Sequence, residues 1–281
     1  MAGVEVWMLL AAITVMLWVL WAQRRTTAQR DVDRLVVRGG LPPDPELVAA
    51  ARKWYQRRHE LLVAGIWIGW MTAGLILLLM GEGWDTRMVT WWIAGAGSVG
   101  GLATLLHGYQ TVSRSDGPRT ASLRPRQLAG YLSPVEIAIE YGFVLVPVIA
   151  GGLGIMVLAL GDSQGWILVA AGLAGVALWG LGLGLQQMAL RVNHTSGGEV
   201  ELQWQEALRA ATLRDVAGAI FAVCWLLGSA LPVSFEWPAD VPGFVEPLTI
   251  VVFAVSLILV GVATFVAMSR RGLGRVRRVA G

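Results

Sequence analysis

The sequence predicts an all-α, polytopic membrane protein with seven transmembrane helices, its N-terminus outside and its C-terminus in the cytoplasm. Three observations lead to this fold class. Of the 281 residues, 56% are hydrophobic and only 15% are charged, against about 25% charged residues in an average soluble domain. Seven runs contain no Asp, Glu, Lys or Arg and are long enough to cross a bilayer. Nearly all basic residues lie on one side of those runs.

Each of the seven runs is expected to form one membrane-spanning helix. About 20 helical residues cross the roughly 30 Å of hydrocarbon, and backbone groups in lipid must find partners within their own element. The runs are continuously apolar and do not alternate, which excludes barrel strands. The third and fifth exceed what a span needs, so their ends are expected in interfaces or loops. The seven runs are 6–23, 61–81, 88–113, 141–161, 163–190, 216–235 and 248–269.

The first run is predicted to be an uncleaved anchor and not a signal peptide. A secretory signal carries its positive charge before the apolar stretch. Here Glu5 precedes the run, and Arg24 and Arg25 follow it. That order of charges is expected to leave the N-terminus outside.

Positive charge is distributed very unequally about the spans. The segments 24–60, 114–140 and 191–215 hold nine, four and three Lys or Arg residues, and the tail after Ser269 holds five. Arg87 is the only basic residue on the other side. Because cytoplasmic loops are enriched in Lys and Arg, the four basic segments are predicted to lie in the cytoplasm. These basic segments are explained by their role in orienting the protein in the membrane and by their attraction to anionic lipid. No nucleic-acid partner is predicted.

A reporter fused to the C-terminus is therefore expected to be active only in the cytoplasm, and an N-terminal tag is expected to be reachable from outside. The measurement is a pair of fusions with reporters that work on opposite sides of the membrane. A reporter inserted in the turn at 161–165 serves as the internal control and is expected outside. Cytoplasmic activity at that position would contradict the seven-span topology.

One anchor and three similar hairpins make up the predicted organisation. Each hairpin starts with a helix-capping signal, carries an acid at the inner membrane edge and turns outside through an acid followed by tryptophan. This similarity indicates an internal duplication, although any membrane hairpin needs such caps, boundary charges and interfacial tryptophans. The units are the anchor 1–23, a basic cytoplasmic linker 24–43, hairpin 1 with a cytoplasmic helix 44–113, hairpin 2 114–195, hairpin 3 196–269 and a basic cytoplasmic tail 270–281.

Hairpin 1 is predicted to begin with a helix that projects into the cytoplasm. Asp44 offers an N-cap, and Pro45 suits the first helical position. From Pro45 to Met80 there are 36 residues, which make about 54 Å of unbroken helix. The other two hairpins start at capping-box spacings, which are Ser133 to Glu136 and Ser196 to Glu199.

Glycines in the spans are expected to mediate close helix packing, because small residues let backbones approach in lipid. The GxxxG formed by Gly180 and Gly184 is the predicted contact of the fifth span, and leucine at either position is expected to lower the folded yield. The same glycine-rich helices offer a route to an oligomer. Pro147, with Gly151 and Gly152, is predicted to kink the fourth helix.

No cofactor and no metal site are predicted. Cys224 stands alone in an apolar run, which favours a packing role. His59, His107 and His194 lack the HxxxH or HExxH spacing of a metal site. No span contains an Asp, Glu, Lys or Arg away from its ends, which disfavours a proton pump. The only lysine, Lys53, lies outside the spans, which disfavours a retinal Schiff base.

A polar cluster at the cytoplasmic rim is the candidate site, although no residue of it is assigned a catalytic role. Carboxylates and an arginine that converge there suit a lipid headgroup or acid–base chemistry, and the alternative is a set of ordinary boundary charges. Glu140 is expected to be the most buried acid, and its replacement by alanine the most destabilising. The cluster is Glu60, His107, Glu140, Arg191 and Asp215.

Three functions fit this pattern in a multi-pass protein of the cytoplasmic membrane, whose arginine- and tryptophan-rich composition is typical of high-GC bacteria. The first is a subunit of a transport or export assembly without its own ATPase. The second is an assembly or regulatory scaffold that binds a protein partner through the cytoplasmic helices 44–60 and 199–214. The third, disfavoured because DDxxD and HExxH motifs are missing, is an enzyme acting on a lipid or prenyl substrate.

The internal packing of the bundle separates these functions. A cavity crossing the bundle favours transport, and a solidly packed bundle favours the scaffold. A pocket at the rim that encloses Glu140 and Arg191 favours the enzyme.

Overall fold

The computed structural model describes residues 11, 14–80, 96–104, 106–107, 127–191, 199–230, 232, 235 and 237–268. This part of the chain is helical and contains no strand. A 3-10 turn covers Leu128–Gly130, and a π-helical turn covers Leu226–Ala230. The α-helices are α1 (14–22), α2 (Arg24–Gly39), α3 (Pro45–Met80), α4 (96–104), α5 (Pro134–Gly142), α6 (Leu145–Ala159), α7 (Gly165–Arg191), α8 (Glu199–Trp225) and α9 (Val245–Met268).

Three described helical segments are long and apolar enough to cross a membrane. They are Pro134–Ala159, Gly165–Arg191 and Glu199–Gly228, and a shorter apolar helix covers Val245–Leu259. The predicted all-α membrane fold is thereby confirmed in this coarse form. Part of the first predicted span and most of the third lie outside the described residues, so the count of seven stays a prediction. The capping box predicted at Ser196 also falls outside them.

Helix α3 begins and ends where the sequence predicts, and its 36 residues are continuous. The Asp44 Oδ1 atom accepts hydrogen bonds from the backbone N–H groups of Glu46 and Leu47, at 2.9 and 3.2 Å. Pro45 occupies the first turn, where its missing N–H costs nothing. The helix is about 54 Å long, so it exceeds the roughly 30 Å hydrocarbon thickness of a bilayer by about 24 Å.

The segment 24–43, predicted as a linker, is mostly a helix. Within α2 the residues Ala28, Val32 and Leu35 form one buried apolar face. Spacings of four and three residues match the helical period. The sequence therefore contains the signal of an amphipathic helix, although the basic residues between these positions obscure it. The face packs on α3 and on Trp204 of α8, whose indole Nε1–H donates to the Pro42 carbonyl at 3.0 Å. We call this packed unit the α2–α3–α8 layer.

The α2–α3–α8 layer uses helix surfaces that the scaffold hypothesis reserves for a partner. In 199–214 the apolar residues Trp204, Ala207, Ala210 and Leu213 are all buried inside the chain. The apolar face of this segment is therefore occupied by the protein itself.

The helix that contains Pro147 is interrupted at residues 143–144, between α5 and α6. Proline has no N–H, so the Phe143 carbonyl lacks its usual partner four residues later. It accepts a hydrogen bond from the Val146 N–H instead, at 3.1 Å. The helix is therefore interrupted one turn before the proline, and the kink expected there stays a prediction.

Close packing of α7 uses different glycines from the predicted GxxxG. A Cβ at Gly180 or Gly184 would meet no atom within 4 Å, so these glycines make no close helix contact within the described part of the chain. A Cβ added at Gly172 would lie 2.7 Å from Gly151 Cα, and one at Gly175 would lie 2.6 Å from Pro147 Cβ. Gly184 follows Gly175 by two and a half turns, which places it on the opposite face of the helix.

Helix α5 starts with the predicted capping box. The Ser133 Oγ accepts from the Glu136 N–H at 3.2 Å, and Glu136 Oε2 accepts from the Ser133 N–H at 2.7 Å. Ser133→Ala is expected to lower the free energy of unfolding by about 1 kcal/mol, because a helix N–H loses its acceptor. Thermal melting in detergent measures the change, and Ser133→Thr is the control that keeps the cap. Identical melting of both variants would mean that the cap does not stabilise α5.

Candidate functional site

Helices α3, α4, α5 and α8 line a partly open cavity of about 600 Å³, which we call the α3–α8 cavity. Its volume falls within the range of about 300–1,000 Å³ that small-molecule sites occupy. One part of its wall is charged and the rest is apolar or small. The charged residues are Arg58, Glu136, Arg214 and Asp215, and the large apolar ones are Leu62, Ile66, Phe221 and Leu226.

Charged and apolar residues occupy opposite ends of the α3–α8 cavity. On α3 the lining runs from Arg58 to Ile66, which is about 12 Å along a helix. On α8 and its π-helical continuation it runs from Asp215 to Leu226, or about 16 Å. Both helices lead from charge into apolar surface in the same chain direction. The cavity is therefore amphipathic along its length.

Two arginine–carboxylate pairs form the charged end. The Arg58 Nε lies 2.7 Å from Asp215 Oδ2, and both side chains are about four-fifths buried. The Arg214 Nε lies 3.6 Å from Glu136 Oε1. Arg58 also lies 3.9 Å from Asp31 of α2, through its Nη1 atom. Partial burial strengthens such pairs because water screens them less.

Backbone contacts outside the cavity hold Arg214 and Glu136 in place. The Arg214 Nη2 donates to the Tyr131 carbonyl at 3.1 Å, and Glu136 is fixed by its capping bond to Ser133. Tyr131 is itself anchored, because its hydroxyl donates to Glu206 Oε2 at 2.6 Å. Burial, together with this hydrogen bond, raises the pKa of Tyr131 to about 12. The phenol therefore stays a neutral donor at physiological pH.

Glycines shape the apolar part of the cavity in two ways. A Cβ added at Gly97 would overlap Leu226 Cδ1, and one at Gly101 would lie 2.5 Å from Val223 Cγ2. These two glycines therefore let α4 approach α8 closely. Gly218 also lines the cavity, but a Cβ there would meet no atom within 4 Å. The absent side chain of Gly218 leaves part of the cavity empty.

The structure distributes the five predicted site residues among separate environments. Glu60 pairs with the Arg24 Nε at 3.1 Å. His107 is buried, and its ring centroid lies 5.1 Å from that of Trp54. Arg191 is exposed at the last residue of α7. Of the five, Asp215 is the one that the α3–α8 cavity wall includes.

Glu140 is the most buried of the three boundary acids, as predicted. Its exposure is 0%, whereas the side chains of Glu60 and Asp215 are 34% and 18% exposed. The partner of Glu140 is a neutral amide, because Gln186 Nε2 donates to its Oε1 at 2.6 Å. Arg191, which the enzyme hypothesis places in one pocket with Glu140, is exposed at the surface of the protein. The pocket that the enzyme hypothesis requires is thus not formed by this pair.

The candidate cluster omits three charged residues of the cavity, which are Arg58, Glu136 and Arg214. One signal was available, since Arg214 and Asp215 are adjacent charges that begin an otherwise apolar stretch of α8. Arg58 and Glu136 gain significance only from their proximity to that pair. Among the described residues, no three His, Cys, Asp or Glu side chains are gathered so as to hold a metal ion.

The fold and the site define a class of protein, namely an all-helical membrane protein with an amphipathic cavity between its helices. No protein-family model, no curated protein and no solved structure matches the chain.

Proposed function

We propose that the protein is an integral membrane subunit of a transport or export assembly, and that the α3–α8 cavity holds an amphipathic cargo. The observation that carries the proposal is the separation of charge and apolar surface along about 16 Å of α8. A polar solute would leave the apolar walls unmatched, and a hydrocarbon would leave the charged end without polar partners. An amphipathic molecule satisfies both ends.

The scaffold alternative has less support. A scaffold requires a solidly packed bundle and helix surfaces that face a partner. Here a cavity lies between the apolar parts of α3 and α8, and the apolar face of 199–214 is buried in the α2–α3–α8 layer. Both observations favour the transport subunit.

The enzyme alternative also has less support. A general acid or base must reach the proton that it transfers, whereas Asp215 lies 2.7 Å from a guanidinium nitrogen of Arg58. Glu140, the other candidate carboxylate, contacts Gln186 and is not part of the described cavity wall. Neither arrangement favours acid–base chemistry over binding.

The energy for transport would come from another chain, because the sequence has no phosphate-binding loop. Our proposal keeps the seven-span topology in the cytoplasmic membrane, with the basic segments on the side of the nucleotide. Arg58, Asp215 and the α2–α3–α8 layer then face the cytoplasm, and the cavity opens its charged end toward that side.

Affinity purification tests this proposal. The tagged full chain is extracted from its native membrane in a mild detergent, and ATPase activity and subunit composition are measured in the eluate. We expect a nucleotide-hydrolysing subunit in stoichiometric amount. An unrelated tagged membrane protein from the same membrane is the control. Recovery of the chain alone, under conditions where a known complex of that membrane stays intact, would contradict the proposal.

A further inference from the structure

We propose that the α3–α8 cavity binds a zwitterionic phospholipid whose head carries both a phosphate and an ammonium group. The phosphate lies against the arginines and the ammonium against the carboxylates, while one acyl chain follows Leu62, Ile66 and Phe221 toward Leu226. The inference rests on the proposed function for the use of this cavity, and it names the class of cargo.

Charge complementarity points to a zwitterion. Two guanidinium groups and two carboxylates line the same end of the cavity, so their formal charges cancel. Guanidinium groups match phosphate oxygens in geometry and charge, and carboxylates match an ammonium. A head with only negative charge has no ammonium group to pair with Glu136 and Asp215. Its repulsion by these carboxylates disfavours it.

The Arg214–Glu136 pair is the part of the charged end that suits insertion of such a head. Its closest nitrogen–oxygen distance is 3.6 Å, which exceeds the roughly 2.7–2.9 Å of a charge-assisted hydrogen bond. Each partner is positioned from outside, Arg214 by the Tyr131 carbonyl and Glu136 by the Ser133 N–H. A ligand that bridges the two therefore need not rebuild the site. The Arg58–Asp215 pair, at 2.7 Å, closes the neighbouring wall.

The length of the cavity lining along α8 matches the hydrocarbon thickness of one leaflet of a bilayer. From Asp215 to Leu226 the lining extends about 16 Å, and half of a roughly 30 Å hydrocarbon core is about 15 Å. The acyl chains of one leaflet fill that half. A phospholipid whose head rests at the charged end would thus reach the apolar end with its chain.

The test measures binding to the purified full chain in detergent by isothermal titration calorimetry. The probes are a short-chain phosphatidylethanolamine, the phosphatidylglycerol with the same chains, and phosphoethanolamine without chains. We expect the phosphatidylethanolamine to bind at least about tenfold more tightly than either of the others. Equal affinity of the two lipids would overturn the assignment of the head, and equal affinity of phosphoethanolamine would overturn the assignment of a lipid.

Two variants locate the binding. Gly218→Leu places a side chain in open cavity space and is expected to weaken phosphatidylethanolamine binding about tenfold or more. Gly184→Leu, a glycine with open space on α7, is the matched control and is expected to bind like the wild type. If Gly218→Leu yields no folded protein, Arg214→Gln replaces it, and phosphatidylethanolamine is expected to bind about tenfold more weakly because its phosphate loses a guanidinium partner. Unchanged binding in whichever variant is measured would overturn the location.

The outcome is separable from that of the proposed function, since the titration needs no partner subunit. Lipid binding by a chain that purifies alone would support this inference and contradict the transport assembly. An ATPase partner without the lipid preference would do the reverse.

Discussion

Gly172→Leu is expected to prevent or strongly reduce folding, with a loss of at least about 3 kcal/mol in the free energy of unfolding. The Cβ alone would lie 2.7 Å from both the Cα of Gly151 and the carbonyl oxygen of Pro147. These are backbone atoms, so no rotamer change relieves the overlap and α6 must move away from α7. Gly172→Ala is expected to be destabilising for the same reason.

The measurement is folded yield and thermal melting in one detergent, with Gly184→Leu as the control. That glycine lies on the same helix, and a Cβ there meets no atom within 4 Å. The control is expected to stay within about 0.5 kcal/mol of the wild type, as for substitutions that disturb no contact. Equal melting of Gly172→Leu and Gly184→Leu would contradict the close approach of α6 and α7.

Glu140→Ala is expected to destabilise the protein by about 2–4 kcal/mol, more than Asp215→Ala and much more than Glu60→Ala. The substitution removes the close acceptor of the buried Gln186 amide and leaves that amide only the Leu213 carbonyl, at 3.5 Å. This loss costs about 1–3 kcal/mol, and the substitution also adds a cavity. Asp215 is partly exposed, and after its replacement Arg58 would still have a second carboxylate, Asp31, at 3.9 Å. The Glu60 side chain is a third exposed, and such pairs contribute about 0–1 kcal/mol.

Thermal melting of the three alanine variants in one detergent gives the order. Glu140→Gln is the matched control, because it keeps the length of the side chain and an acceptor oxygen for Gln186. It is expected to melt close to the wild type. Equal, small shifts for all three alanine variants would show that these acids mark the membrane boundary and do not stabilise the fold.

Local chemistry made the helix starts predictable. The Asp44 cap with Pro45, and the reciprocal bonds of Ser133 with Glu136, involve residues at most three positions apart. Such bonds form whenever the chain enters a helix, whatever the helix later contacts. The helix interruption before Pro147 is equally local, since it follows from a missing N–H.

Helix α2 was equally local but was missed. Ala28, Val32 and Leu35 recur at helical spacing, yet the surrounding arginines suggested a linker held by charge alone. In a basic segment beside a membrane, the same residues can orient the protein through their charge and also form an amphipathic helix.

Sequence alone determined the apolar spans, the charge asymmetry and the helix starts, because each depends on composition or on neighbours within one turn. Only the tertiary structure decided which faces of the apolar helices meet. A helix that is apolar all round has no hydrophobic side to indicate its partner, so Gly175 and Gly184 look alike in the sequence although only Gly175 is packed. The α3–α8 cavity has the same origin. Arg58, Glu136 and Asp215 come from three helices far apart in the chain, and no local interaction brings them together.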